Sequence, residues 1–289
     1  MKILLTGRNG QLGWELERTL APLGELHAFD RADLDLAHPD RLVSVLRELK
    51  PALIVNPAAY TAVDRAESEP DVAFAVNARA PGVLADEAKR LGALLIHYST
   101  DYVFDGTKAT PYTEDDATNP LGVYGTSKLD GEKAIAAIGV RHWIFRTSWV
   151  YAPRGRNFFL TMLRLAREGK PLRVVADQFG APTSAAMLAR ATVQAITRLS
   201  AGTAPPASGV YHMTAGGRAS WHGFAQAILR EFGLTTLVTP ITSSEYPLPA
   251  KRPANSVLDN SRLGAAFGIR LPAWEEGLHE AVATLRAAA

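Results

Sequence analysis

Through the first half of the chain, short apolar runs alternate with longer segments in which apolar residues recur every three or four positions. The runs 2–5, 25–29, 53–56, 94–98 and 142–146 read as strands, and 12–20, 39–49, 72–91 and 127–138 read as helices. Strand followed by helix, repeated, predicts βαβ units on a parallel sheet. Parallel strands are covered on both faces, which explains why Ile3-Leu4-Leu5 and Leu53-Ile54-Val55 show no polar alternation. Beyond Trp149 the pattern loosens, with helices expected over 158–167, 184–199 and 221–232 between proline-bearing loops. The stretch 201–209, rich in Ala, Pro, Gly and Ser, reads as a surface loop joining a helix to a strand.

Composition narrows the function classes. With 289 residues, 47% hydrophobic and 21% charged, the chain has the make-up of an ordinary globular protein of one large α/β unit or two domains. A net charge of +2 supplies no field for nucleic acid or an anionic membrane, so any phosphate recognition must be local. The absence of cysteine removes disulfides, thiolate nucleophiles and iron–sulfur clusters. The apolar run at Ile3-Leu4-Leu5 is too short for a signal peptide, and no later stretch approaches ~18 uncharged apolar residues, so the expectation is a soluble, cytoplasmic protein.

Candidate chemistry begins directly after the first strand. Gly7, Gly10 and Gly13 form G-x-x-G-x-x-G where a helix opens, the pattern that lets backbone approach a pyrophosphate at a helix N-terminus. The second strand is expected to end at Asp30, whose carboxylate is placed to accept ribose hydroxyls. The bland alternative is turn glycines and a helix-capping Asp. Arg31 next to it suits a 2′-phosphate, which leaves NADH and NADPH both open. Asp35 and Leu36 fall where an adenine would rest, and Asn56 to Thr61 would line the crevice after the third strand.

The expected reacting end lies further along. Tyr124 and Lys128 form Y-x-x-x-K near a helix start, on one face of that helix, and a nearby ammonium would lower the phenol's ordinary pKa. Hydride delivered to a carbonyl develops an alkoxide that needs a proton, which Tyr124 would supply while Lys128 holds the nicotinamide ribose. Thr100, after the strand 94–98, offers a hydroxyl to the same oxygen; its bland alternative is a strand-end hydroxyl bonded to backbone. No H-x-x-x-H pair supports metal catalysis.

Together the glycine loop, Asp30, Ser99-Thr100 and Tyr124/Lys128 resemble the extended short-chain dehydrogenase/reductases, NAD(P)-dependent enzymes acting largely on nucleotide sugars. The blocks Asn56-Pro57-Ala58-Ala59-Tyr60-Thr61, His97-Tyr98-Ser99-Thr100-Asp101, Phe145-Arg146-Thr147-Ser148-Trp149, Asp177-Gln178-Phe179-Gly180 and Arg252-Pro253-Ala254-Asn255 carry the resemblance from Met1 past Arg252. They are most similar to members that reduce the 4-keto group of dTDP-6-deoxy-L-lyxo-4-hexulose to dTDP-L-rhamnose. Pro57 departs from the Ala more often found there. The resemblance implies that Gly10, Gln11, Leu12, Asp30, Asp35, Leu36, Ala59, Tyr60, Thr61 and Tyr98 contact the cofactor, that Thr100, Asp101 and Trp149 face the sugar nucleotide, and that Tyr124 and Lys128 act as above. Gln178 and Arg252 join the substrate set, Arg252 gripping the diphosphate or, alternatively, closing a surface ion pair. In some relatives a residue at the position of Glu15 binds Mg²⁺ at a dimer contact, so the resemblance extends to a Mg²⁺ ion and a homodimer.

The expected fold is therefore a doubly wound Rossmann sheet with helices on both faces and a smaller α/β C-terminal lobe. Residues 1–150 would bind the dinucleotide, and 151–289 would mainly bind substrate, with some later segments interleaved into the first part. Two rivals remain: an epimerase or dehydratase that keeps NAD bound, and a non-catalytic reductase-like regulatory subunit. Asp115 and Asp116 precede Tyr124, but no second acid stands beside Thr100 and Asp101 for removal of water.

Overall fold

A computed structural model describes residues 1–200 and 205–288. In chain order the first half runs β1 (Lys2–Leu5), α1 (Gln11–Leu20), β2 (Glu25–Ala28), α2 (Pro39–Leu49), β3 (Leu53–Asn56), α3 (Val63–Ala66), α4 (Pro70–Phe74), a π-helical turn (Ala75–Arg79), α5 (Ala80–Leu91), β4 (Leu94–Thr100), α6 (Val123–Ile138) and β5 (His142–Thr147). The second half adds β6 (Val150–Tyr151), α7 (Phe158–Arg167), β7 (Leu172–Val175), β8 (Phe179–Gly180), β9 (Thr183–Ser184), α8 (Ala185–Thr197), β10 (Gly209–His212), β11 (Ala219–Ser220), α9 (Trp221–Glu231), β12 (Val238–Ile241), α10 (Ser261–Phe267) and α11 (Trp274–Ala287). Of the loop expected at 201–209, residues 201–204 lie outside the described residues.

Six strands form a parallel sheet in the order β10-β5-β4-β3-β1-β2. Every residue of β3 is buried, as its apolar run predicts for a strand roofed on both sides, and β4 and β5 are buried throughout although they carry His97, Ser99, Thr100, His142, Arg146 and Thr147. Alternate side chains go to opposite layers. Ile3, Leu5, Val55, Ile96 and Phe145 pack with α1 and α8, whereas Leu4, Ile54, Leu95 and Ile144 pack with α2, α5 and α6. A separate core joins α7, α9 and α11 to the β7/β12 pair. The chain crosses from β2 at one edge back over β1 to β3, so the strand order reverses between β1 and β3. A crevice opens there at the carboxyl ends of the strands.

Two helices differ from the expectation. The spacing over 72–91 predicts one helix, but the segment widens into a π turn at 75–79, just before Pro81, which has no N–H to continue the regular ladder. Helix α6 begins at Val123 rather than 127, because Gly122 adopts an extended cap and Glu67 Oε1 accepts from the Val123 N–H at 2.8 Å. That earlier start puts Tyr124 in the first turn.

Candidate active site

The glycine turn has the backbone that its residues allow. Gly7 has φ +64°, and a Cβ at Gly13 would run into the Gly7 carbonyl, so strand and helix meet closer than any side chain permits. Gly10 caps α1 in an extended conformation with no side chain to satisfy the first N–H groups, and the first turn holds no acidic residue. These donors face a cavity of about 420 Å³ lined by Gly7, Gln11, Tyr98, Tyr124, Lys128 and Arg156. Ala58, Ala59 and Thr61 connect it to a second cavity of about 560 Å³ lined by Asp30, Arg31, Asp35, Leu36 and Tyr60.

Within the second cavity the carboxylates are already partly engaged. Asp30 accepts from Asn9 Nδ2 at 2.6 Å and from the Ala32 and Asp33 N–H groups at 2.8 and 3.0 Å; the Asp33 N–H is the main cause of its lowered pKa. It lies two residues past the end of β2 and caps a turn rather than the helix its bland alternative supposed, and its carboxylate lines the cavity. Arg31 donates to Asp35 Oδ2 at 3.3 Å from the rim. Leu36 is buried and supplies apolar wall. Tyr60 is fixed twice: its hydroxyl donates to Glu69 at 2.6 Å, and Asn77 from the π turn clamps its backbone N–H and C=O at 2.8 and 3.0 Å.

A third cavity, of about 370 Å³, shares Gln11, Thr61, Tyr124 and Arg156 with the first and adds Thr100, Asp101 and Trp149. Thr100, Tyr124 and Lys128 thus meet at the carboxyl edge of the sheet, Thr100 from the end of β4 and the other two from one face of α6. Burial pushes the Tyr124 phenol up to about 12, the Thr100 hydroxyl beside it pulls the other way, and the Asp101 charge adds to the rise. The expectation that Lys128 would lower this pKa is reversed. Lys128 Nζ is turned instead to the Tyr98 carbonyl at 2.6 Å and to His97 Nε2 at 3.1 Å, and burial lowers its own pKa to about 8. Thr100 Oγ1 accepts from the Tyr102 N–H, as its bland alternative supposed, and donates to Asp101 Oδ1 at 3.0 Å.

Ser99 Oγ and Thr147 Oγ1 are buried against this crevice with no hydrogen-bond partner in the protein, and Asp101 Oδ2 is buried there with the neighbouring Ser256 hydroxyl near its carboxyl but outside hydrogen-bonding geometry. Burying polar atoms without partners costs stability, so their clustering fits a polar ligand that satisfies them. Burial also raises the Asp101 carboxyl to about 6. Trp149 takes a left-handed backbone (φ +48°) and stacks on Trp221, ring centres 3.5 Å apart and planes 4° from parallel. Its indole lies so close to Gly180 that a Cβ there would collide with it. Trp221, Phe158, Arg156 and Thr147 also line the crevice. In the sequence Trp221 and Phe158 mark only helix starts, Thr147 stands in the block 145–149 without a role of its own, and Arg156 belongs to no recognisable spacing.

Other expected site residues lie elsewhere. Arg252 forms the ion pair named as its alternative, reaching both Asp64 oxygens at 2.6 and 2.7 Å, and lines none of the three cavities. Gln178 donates to Ser243 Oγ at 2.9 Å and also stands outside them. Tyr98 lines the first cavity with its hydroxyl bonded to Thr192. Glu15 receives Arg18 at 3.2 Å with Arg154 and Arg190 nearby, and among the described residues no group of three or more His, Cys, Asp or Glu could hold a metal. The Mg²⁺ expectation finds no support in that arrangement. No helix among the described residues is long and apolar enough to cross a membrane.

Fold and crevice define a Rossmann-type protein of the extended short-chain dehydrogenase/reductase kind. The family profile described as RmlD substrate binding domain matches residues 1–287, and the chain belongs to that family. It is 52% identical, over 95% of each chain, to the dTDP-4-dehydrorhamnose reductase of Burkholderia thailandensis. The crystal structure of a dTDP-4-dehydrorhamnose reductase from Clostridium acetobutylicum superposes with a TM-score of 0.93 at 41% identity, covering 99% of this chain and 100% of that one. The Bacillus anthracis reductase, solved in complex with NADP, gives 0.91 at 35% identity, covering 98% and 99%.

Proposed function

We propose that the protein is an NAD(P)H-dependent reductase that converts the 4-keto group of dTDP-4-dehydro-6-deoxy-L-mannose to the alcohol of dTDP-L-rhamnose, the last step in making that sugar donor. The observation that carries the reading is the full-length family match to reductases, on a chain that brings Thr100, Tyr124 and Lys128 together at the sheet edge. NAD(P)H, when bound, supplies the hydride to the sugar C4.

The chain's own residues do the rest. The free N–H groups at the start of α1 take the cofactor's diphosphate, and Asp30, with Arg31 at the rim, takes the adenosine ribose or its 2′-phosphate. Tyr124, fully protonated at neutral pH, gives its proton to the carbonyl oxygen as negative charge develops there. Thr100 Oγ1 turns its hydrogen from Asp101 to the same oxygen, and the phenolate left on Tyr124 recovers a proton from solvent. Lys128 presents its remaining N–H to the nicotinamide ribose, Asp101 Oδ2 accepts from a sugar hydroxyl, and Trp149 walls the hexose. Gln178 and Arg252 act at one remove from the hexose, Arg252 by holding Asp64. In this reading 1–150 carries mainly the cofactor and 151–289 mainly the substrate.

The test is stoichiometric. With the dTDP-4-keto sugar, one NAD(P)H is expected to be oxidised per alcohol formed, and initial rates with NADH and NADPH decide the preference that Asp30 and Arg31 leave open. Product formed without net oxidation of the nucleotide would assign the chain to the epimerase or dehydratase type instead. Tight nucleotide binding with no turnover would make it a regulatory subunit.

A further inference from the structure

Behind Lys128 runs a buried polar chain that the reaction outlined above does not use. His97, 1% exposed, lies between Lys128 Nζ at 3.1 Å and Asn56 Nδ2 at 3.0 Å from its Nδ1, and Asn56 Oδ1 is 2.6 Å from Thr6 Oγ1. The four side chains come from β4, α6, β3 and the residue after β1, so the chain threads the middle of the sheet. Lys128 has three N–H bonds when charged. His97 Nε2 and the Tyr98 carbonyl occupy two, leaving one for the cavity that Lys128 lines.

We propose that His97 is a positioning residue for Lys128: its Nε2 accepts from the buried ammonium, holding that group charged and turned so that the remaining N–H faces the crevice. Burial and the Lys128 charge both hold the His97 ring well below its ordinary pKa, so it is neutral and has one donor and one acceptor nitrogen. Two proton arrangements complete the chain. With Lys128 charged, Nε2 accepts, Nδ1–H donates to the Asn56 amide oxygen, and the amide NH₂ turns to Thr6. With Lys128 neutral, Nε2–H donates to the amine, Nδ1 accepts from the Asn56 NH₂, and Thr6 donates to the amide oxygen. The proton on Lys128 is therefore coupled to the His97 tautomer. Other groups facing Lys128 are Glu132, one turn along α6 and paired with Arg146 of β5, and Tyr124, one turn before it.

The hydrogen bond stands by itself, while its catalytic consequence rests on the reductase reading. Cofactor-free protein carrying ¹³C-labelled lysine is titrated by NMR, with Lys128→Met identifying the Lys128 ε-carbon signal. The wild-type midpoint is expected near about 8. In His97→Leu it should fall by about one pH unit, because a charge-assisted bond is lost. His97→Gln, whose amide oxygen can accept from Nζ, should restore most of the loss. Asn56→Asp, which accepts only and so commits Nε2 to accepting, should raise the midpoint. A wild-type midpoint in His97→Leu, or equal shifts in the Leu and Gln variants, overturns the proposal. If the Leu variant does not fold, an unmoved or lowered midpoint in Asn56→Asp overturns it equally. NADPH oxidation by wild-type protein is measured in parallel: an inactive wild type whose Lys128 midpoints shift as described sinks the reductase reading alone, and an active one whose midpoints stay put sinks this proposal alone.

Discussion

Tyr124 is poised as an acid rather than as a base. A phenol pushed up to about 12 by burial holds its proton across the physiological range, which is the state a donor to a forming alkoxide requires. Replacing it with Phe removes the proton and nothing else of the ring, so kcat should fall by about 10²- to 10⁴-fold while nucleotide affinity changes little; stopped-flow turnover and fluorescence titration of NADPH separate the two. Asp101 shows the opposite cost. Its carboxyl pKa rises in the fold from 3.8 to about 6, so the folded state binds a proton more readily than the unfolded chain, and stability falls as pH rises between about 4 and 6. The charged form is then carried at a cost of about 3 kcal/mol above pH 6. Asp101→Asn should therefore raise Tm at pH 8 and lose that advantage at pH 4. Calorimetry that finds the variant no more stable at pH 8 would return Asp101 to a well-solvated site.

At the scale of elements, close approach decides where the crevice opens. Helix α6 can lie against the π turn because Gly131 has no Cβ to meet the Asn77 carbonyl, and that turn carries the Asn77 amide that grips Tyr60. In the same way Gly13 admits α1 to the Gly7 carbonyl. Gly13→Ala should cost about 1–3 kcal/mol through overpacking and weaken NADPH binding more than tenfold, seen as a lower urea midpoint and a raised Kd. Much of this was legible beforehand. Helix 39–49, helix 158–167 and the strands 2–5 and 53–56 carry strong local patterns, and the glycine triplet announces its turn. What escaped is non-local. The true start of α6 depends on Glu67, which is 56 residues away, and the Trp149–Trp221 stack joins rings 72 positions apart, so no sequence window contains either. The direction of the Tyr124 shift escaped for the same reason, since Y-x-x-x-K spacing records neither the burial that raises the phenol nor that His97 and Tyr98 hold the ammonium.

Across the whole molecule the two halves of the chain share one sheet. β10 closes the edge beside β5, with Val210 opposite Ile144 and Tyr211 opposite Phe145. On the same side α8 lays Leu188, Ala189 and Ile196 over the face that α1 builds from Leu12, Leu16 and Leu20. Phe267 of α10 then packs edge-on against Trp143 at 4.9 Å and Tyr211 at 4.9 Å. A fragment of residues 1–150 would expose all of these contacts and leave β5, buried along its whole length in the intact protein, as a bare edge, a template for aggregation rather than folding. Such a fragment, although it contains every glycine of the turn together with Thr100, Tyr124 and Lys128, should show no cooperative urea transition and no NADPH binding by calorimetry. Adding back 151–289 as a separate chain should restore both, because the missing strand and helix return with it. A fragment that folds cooperatively and binds the nucleotide alone would mean that β10 and α8 are ornaments on a sheet complete without them, and that the crevice owes its shape to the first five strands only.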